Sequence, residues 1–223
     1  MPERGGDPLR VGGCRQCGRR QVGGLRPRHC KHNKRPSTPT EERSRPCFWV
    51  FRQDPQIKRT RLYLETSVFG FHFDRREVNR NRRDATHRLF AQIRDGIFEG
   101  YAGAATVLEL ERTEDEQLRD AMFDLLDDSG IQVLKLDADL QRDVALLAEA
   151  YVSKGAIPAT KVDDAVHIAT MVVRPELDIL VTWNFRHIAN LSVERQVKAI
   201  TLGSGYEFNF RIMTPEEVVV YEA

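Results

Sequence analysis

From Arg61 onward the chain alternates short apolar runs with amphipathic stretches of ten residues or more. Leu62-Tyr63-Leu64 is a short apolar run closing on Glu65-Thr66-Ser67, and it predicts a buried strand. Asp84 to Asp95 carries Ala85, Leu89, Phe90 and Ile93 on one helical stripe, punctuated by Gly96 and Gly100. Tyr101 to Ala105 predicts a second strand, and Thr106 is placed to cap a helix through Val107, Leu108, Leu110 and Glu111. Asp115 to Leu126 reads as a helix stopped near Gly130, and Ile131 to Leu136 as a strand. Asp137 caps a long amphipathic helix reaching Ser153, with Gly155 ending it. Lys161 to Val173 is a helix with Ala165, Ile168, Ala169 and Val172 on one side, and Leu177 to Trp183 the cleanest strand. A short helix is expected over Phe185 to Leu191, a last strand over Ala199 to Leu202, and a terminal helix from Thr214 with Pro215 at its first position.

Strands alternating with helices of that length predict a parallel sheet covered on both faces, a three-layer α/β/α sandwich. Such sheets gather their ligands at the carboxyl ends of the strands. No Gly-rich phosphate loop follows the first strand, so a nucleotide-binding or flavodoxin-like reading finds no support.

Residues 1–58 carry a different pattern. Val11-Gly12-Gly13, Gly23-Gly24, Arg35-Pro-Ser-Thr-Pro and Arg45-Pro46 have neither helical nor strand period, and the segment predicts a disordered basic tail around one apolar island, Cys47-Phe-Trp-Val-Phe. Net charge sharpens the division. The whole chain balances at +1, but residues 1–60 hold 15 basic against 5 acidic groups, whereas residues 61–223 hold 19 against 28. The tail is therefore drawn to polyanions, while an acidic body that handles nucleic acid must offset phosphate repulsion, and a metal ion is one means. All four cysteines (Cys14, Cys17, Cys30 and Cys47) lie in the tail, and a body without cysteine suits a reducing cytoplasm. Cys14-x-x-Cys17 with Cys30 and His32 invites a zinc reading, but the Cys30-x-His32 step is too short for the usual ligand spacing. The tail reads instead as disordered, or as an over-extended start of the reading frame. No apolar run approaches the ~20 residues of a membrane span, and no apolar stretch follows the N-terminal charges as a secretory signal requires.

Inspection of the strand ends finds acids. The first strand delivers Glu65 and the strand before Trp183 delivers Asn184. Glu109 lies one turn into the helix after the second strand, and Asp164, next to Asp163, opens the helix leading into the fourth. Converging carboxylates repel one another and call for a cation. Oxygen donors without cysteine suit a hard ion such as Mg²⁺ or Mn²⁺.

Leu64-Glu-Thr-Ser-Val, Thr106-Val-Leu-Glu-Leu-Glu, Asp163-Asp-Ala-Val-His-Ile-Ala-Thr and Val181-Thr-Trp-Asn-Phe resemble, in order and spacing, the motifs of PIN domains, most closely the VapC-like toxin ribonucleases of type II toxin–antitoxin pairs. The resemblance covers roughly residues 60–220. It implies a PIN-like nuclease domain over 60–223, a metal held by Glu65, Glu109 and Asp164 with Asn184 completing the catalytic set, and RNA as substrate. It also implies a small antitoxin protein as partner, and a homodimer. Ser67 matches the family's small hydroxyl residue. Two positions depart from the pattern: Glu65 stands where Asp is usual, and Asn184 where a fourth acid is usual, which points to weaker metal binding than a four-acid site gives. His167 lies on the Asp164 face of its helix, three residues on, where it would contact substrate or water, or serve as a hydrogen-bonded structural residue. Arg186 and His187 are further groups able to meet phosphate. A domain that has lost productive metal binding would instead be an RNA- or protein-binding module relying on the basic tail.

Overall fold

The computed structural model describes residues 58–221, so the expectations for the basic tail, its disorder and its zinc-like grouping lie outside the described residues. In chain order the elements are β1 (Thr60–Leu64), α1 (Thr66–Phe73), α2 (Arg80–Arg94), β2 (Phe98–Ala102), α3 (Ala104–Glu111), α4 (Glu116–Asp128), β3 (Gln132–Val133), α5 (Ala138–Ser153), α6 (Val162–Val173), β4 (Ile179–Val181), α7 (Leu191–Gly203), β5 (Arg211–Met213) and α8 (Pro215–Val218).

The strands form one sheet in the order β3-β2-β1-β4-β5, and every pairing is parallel. Helices cover both faces, as the alternating pattern requires. The two-residue period of β1 divides the core. Leu62 and Leu64 pack with α1, α2, α4 and the Val218–Val219 end of the chain, whereas Tyr63 packs with α5, α6 and α7. All three side chains are fully buried, which is why Leu-Tyr-Leu reads as an unbroken apolar run.

β1 sits at the centre with β2 and β3 on one side and β4 and β5 on the other, so the crossover direction reverses between β1 and β4. At such a switch point the loops after the two strands part in opposite directions and leave a crevice beyond their carboxyl ends. Glu65 and the Thr182–Asn184 segment leave the sheet there.

Several boundaries are local chemistry made visible. Asp115 and Asp137 accept backbone N–H bonds at the starts of α4 and α5, Gly155 takes φ of +77° just past α5, and Thr214 with Glu217 closes a capping box at α8. Other expectations need correction. Ala199 to Leu202 is not a strand but the last turn of α7, because Val197, Ile200 and Thr201 sit at helical spacing against the α5 layer and the Thr201 hydroxyl bonds Tyr151. The last strand is β5. The helix expected over Phe185 to Leu191 is absent: residues 185–188 form turns and Leu191 opens α7, since the Asn184 side chain takes the His187 N–H and closes a tight turn. Thr106 does not cap α3: Gly103 stands at the N-cap and the Thr106 hydroxyl donates to the Leu64 carbonyl at 3.1 Å. Helix α1 occupies a stretch for which the apolar pattern predicts no element, and β2 begins at Phe98 rather than Tyr101. Among the described residues no helix is long and apolar enough to cross a membrane.

Candidate metal centre

Glu65 is the residue at which β1 becomes α1. Its N–H still donates to the Val181 carbonyl at 3.1 Å, so the sheet fixes its backbone, while its side chain is only 5% exposed. Thr182, just past β4, donates to Glu65 Oε2 at 2.8 Å, and the Ser67 hydroxyl donates to the same oxygen. Ser67 Oγ in turn accepts the Trp183 N–H at 2.9 Å, and Thr182 Oγ1 accepts the Asn184 N–H at 2.9 Å. Two hydroxyls therefore tie the carboxylate to the adjoining strand's exit loop.

Glu109 enters from α3, its side chain 23% exposed. Its Oε2 accepts from the Thr66 hydroxyl and lies 2.8 Å from His167 Nε2. His167 is wholly buried, and its Nδ1 lies 2.8 Å from the Tyr63 hydroxyl. Tyr63, His167 and Glu109 thus form a chain running from the sheet interior to the crevice. Burial by itself disfavours the imidazolium, but the Tyr63 hydroxyl and the Glu109 and Glu65 carboxylates outweigh it and push His167 up to about 10. Burial likewise opposes the Glu109 carboxylate, yet the His167 hydrogen bond and charge, with Thr66, hold Glu109 below its ordinary value. The pair is an ion pair.

This pairing fixes a pH dependence. His167 titrates above its ordinary 6.5 in the fold, so its contribution to stability is complete below about 6.5 and is lost as pH rises through about 10. In metal-free buffer the wild-type melting temperature is expected to fall between pH 7 and 10.5 more steeply than that of His167→Gln, which has nothing to titrate there. Parallel curves for the two proteins would refute the ion pair.

Gly103 is required where α3 begins. A Cβ there would overlap the Tyr63 hydroxyl and stand 3.0 Å from two Tyr63 ring carbons. Gly103→Ala is expected to cost about 1–3 kcal/mol by overpacking, and clearly less in a Tyr63→Phe background where the hydroxyl is gone. Denaturant midpoints of the four proteins test this, and equal costs in both backgrounds would contradict it.

Asp164, in the first turn of α6, is 6% exposed, and its Oδ2 is buried without a hydrogen-bond partner among the described residues. Burial first, then the neighbouring Glu65 carboxylate, raises its pKa, with Asn184, His167 and His187 partly offsetting. Asp163 points elsewhere and pairs with Arg112 at 2.9 Å on the surface.

Carboxylate oxygens of Glu65 and Glu109 and a ring nitrogen of His167 all lie within 4.8 Å of one another. His167 therefore joins the group where the sequence put Asp164, and Asp164 stands beside Glu65. Ser67 is present as an orienting hydroxyl on Glu65. Asn184 lies at the rim, its Oδ1 occupied by the His187 N–H at 3.0 Å. Sequence reading overlooked Thr66, Thr182 and Tyr63. Thr66 and Thr182 lie inside the quoted motifs, and Tyr63 inside the strand beside them, so position alone could have flagged all three. Their hydrogen bonds span 43, 117 and 104 residues respectively and have no local pattern.

No protein-family model matches this chain, and no curated protein sequence does. Among solved structures, the fold is similar to the crystal structure of VapBC2 from Rickettsia felis bound to a DNA fragment from their promoter, at 11% identity and a TM-score of 0.46, over 70% of this chain and 98% of that one.

Proposed function

We propose that residues 60–223 are a PIN-like, metal-dependent endoribonuclease, the toxin of a type II toxin–antitoxin pair. The observation that carries the reading is the buried Asp164 Oδ2 without a protein partner, set beside the buried Glu65. A carboxylate held out of water with one oxygen unbonded is costly, and a cation is the partner that oxygen lacks.

The donor set fits a hard divalent ion. The hydrogen bonds to Glu65 and to Glu109 all end on Oε2, so each keeps Oε1 unbonded among the described residues, and Asp164 offers Oδ2. Glu65, Glu109 and Asp164 would hold Mg²⁺ or Mn²⁺. His167 keeps its nitrogens on Tyr63 and Glu109, and through the second contact it orients Glu109. When bound, the ion neutralises phosphodiester charge and acidifies the attacking water. Ser67 and Thr182 hold Glu65 in one rotamer, and the His167 charge offsets one of the three acids, so the crevice tolerates an approaching phosphate. The toxin assignment, a small antitoxin protein, a homodimer and a cytoplasmic setting rest on the four motifs and on the cysteine-free body.

The test is calorimetric titration of Mn²⁺ into the full chain beside Glu65→Ala and Asp164→Ala, followed by cleavage of a single-stranded RNA with and without EDTA. Saturable binding and cleavage, lost in both variants, are expected. Cleavage unchanged by Glu65→Ala would sink the reading. One observation favours a second reading, a binding module with little or no turnover: Asn184 commits its carbonyl oxygen to the His187 backbone. RNA binding that is steeply salt-dependent but indifferent to EDTA, with no cleavage, would select it.

A further inference from the structure

The loop that leaves the carboxylates carries an aromatic group that the nuclease chemistry does not use. Trp183, Asn184 and Phe185 follow Thr182 directly, and Trp183 is tied through its N–H to Ser67, the residue that orients Glu65. The Trp183 ring is buried, with its indole N–H on Thr86, whereas Phe185, two residues on, is 44% exposed. Over these rings stands Arg82 of α2. Its guanidinium carbon lies 5.1 Å from the Phe185 centroid, 5.5 Å from Phe71 and 5.7 Å from Trp183. Its neighbours Arg80 and Arg83 both approach Asp84, yet among the described residues no carboxylate pairs with Arg82. The surrounding segment, residues 75–83, holds five arginines and one acid in a body whose balance is otherwise acidic.

Resting on the ribonuclease reading above, we propose that Phe185 and Arg82 form a nucleobase-stacking subsite that receives a base of single-stranded RNA adjoining the phosphodiester held at the carboxylates. A planar guanidinium packed among aromatic rings and free of a carboxylate keeps its charge for a phosphate and its plane for a base. A half-exposed aromatic ring offers a face on which any base stacks. Bases paired in a duplex are unavailable to such a face, so the subsite selects unpaired RNA. Two residues, Trp183 and Asn184, separate Phe185 from Thr182, and Thr182 donates to Glu65 while the Trp183 backbone N–H donates to Ser67, so platform and carboxylates are held in register.

Trp183 lies under Arg82 and reports on the subsite directly. In full-length Trp49→Phe protein it is the sole tryptophan. Its emission is followed while an eight-nucleotide single-stranded RNA of adenosines is added in EDTA, beside an all-abasic chain of the same length. Working without metal separates this binding from catalysis, so loss of the nuclease reading leaves the outcome readable. The expected result is a saturable change with the RNA, absent with the abasic chain, and an affinity about tenfold weaker in Phe185→Ala, the scale of one base on one ring. Arg82→Lys keeps the charge but not the plane, and is expected to weaken RNA binding as well. An unchanged affinity in Phe185→Ala, or equal responses to the RNA and the abasic chain, would overturn the proposal.

Discussion

Asp164→Asn is expected to raise the melting temperature of the metal-free protein and, at the same time, to abolish its further rise on adding Mn²⁺. The wild-type carboxylate is 6% exposed, has a buried oxygen without a bond and faces the Glu65 charge. Removing the negative charge relieves the cost of burying it and the repulsion by Glu65, a gain of about 1 kcal/mol, which in a domain of this size moves the midpoint by about 2–4 °C. The sign follows from the raised pKa. The folded carboxyl binds its proton more tightly than the unfolded one, so wild-type stability falls as pH rises from about 3.8 through the folded value. The advantage of Asn is therefore greatest at neutral pH and vanishes below about 3.8. With Mn²⁺ at a hundred times its dissociation constant the ranking reverses, because binding adds about 2.7 kcal/mol to the wild type alone. Thermal melts with and without the ion decide the matter. A variant that melts below the metal-free wild type, or that still gains from Mn²⁺, would take Asp164 out of the ion-binding role.

His167→Ala is expected to destabilise the domain strongly. It removes a wholly buried ring, strips the Tyr63 hydroxyl of its partner and leaves Glu109 without its counter-charge. Breaking one side of a buried ion pair costs about 3–5 kcal/mol. The partial exposure of Glu109 favours the lower end of that range, or a fall in melting temperature of about 6–12 °C. Glu109→Gln should cost less, because a neutral His167 donates from Nε2 to the amide oxygen and accepts the Tyr63 hydroxyl at Nδ1, leaving no unpaired buried charge. If His167 orients Glu109, the two variants converge in the cleavage assay: Glu109→Gln is folded but slow, and His167→Ala, assayed well below its melting point, is comparably slow. A His167→Ala protein as stable as Glu109→Gln would show that the Tyr63–His167–Glu109 chain does not carry the fold in this region.

Local chemistry made much of this legible in advance. Asp137 before an amphipathic stretch and Gly155 after it are enough to bound α5, because a cap and a left-handed exit are decided by the residues that stand there. Thr214-Pro-Glu-Glu bounds α8 in the same way. Ala199 to Leu202 misled because four apolar or β-branched residues suit a buried strand and a buried helix end equally. The contact between Thr201 and Tyr151, 50 residues away, separates the two, and no window of sequence contains it.

The candidate site divides along the same line. Chain order and side-chain period narrow the candidates: carboxylates placed after strands of a parallel sheet collect at its carboxyl edge, as Glu65 does. The contacts each of them makes there come from the packing of the layers. That packing placed the reversal between β1 and β4 beside Glu65, and gave Glu109 to His167. It also left Asp164 Oδ2 without a bond and set Arg82 over the ring of Phe185. Pairing between groups on separate elements depends on distances of a few ångströms, set by how whole layers pack, and that information is spread over the entire core.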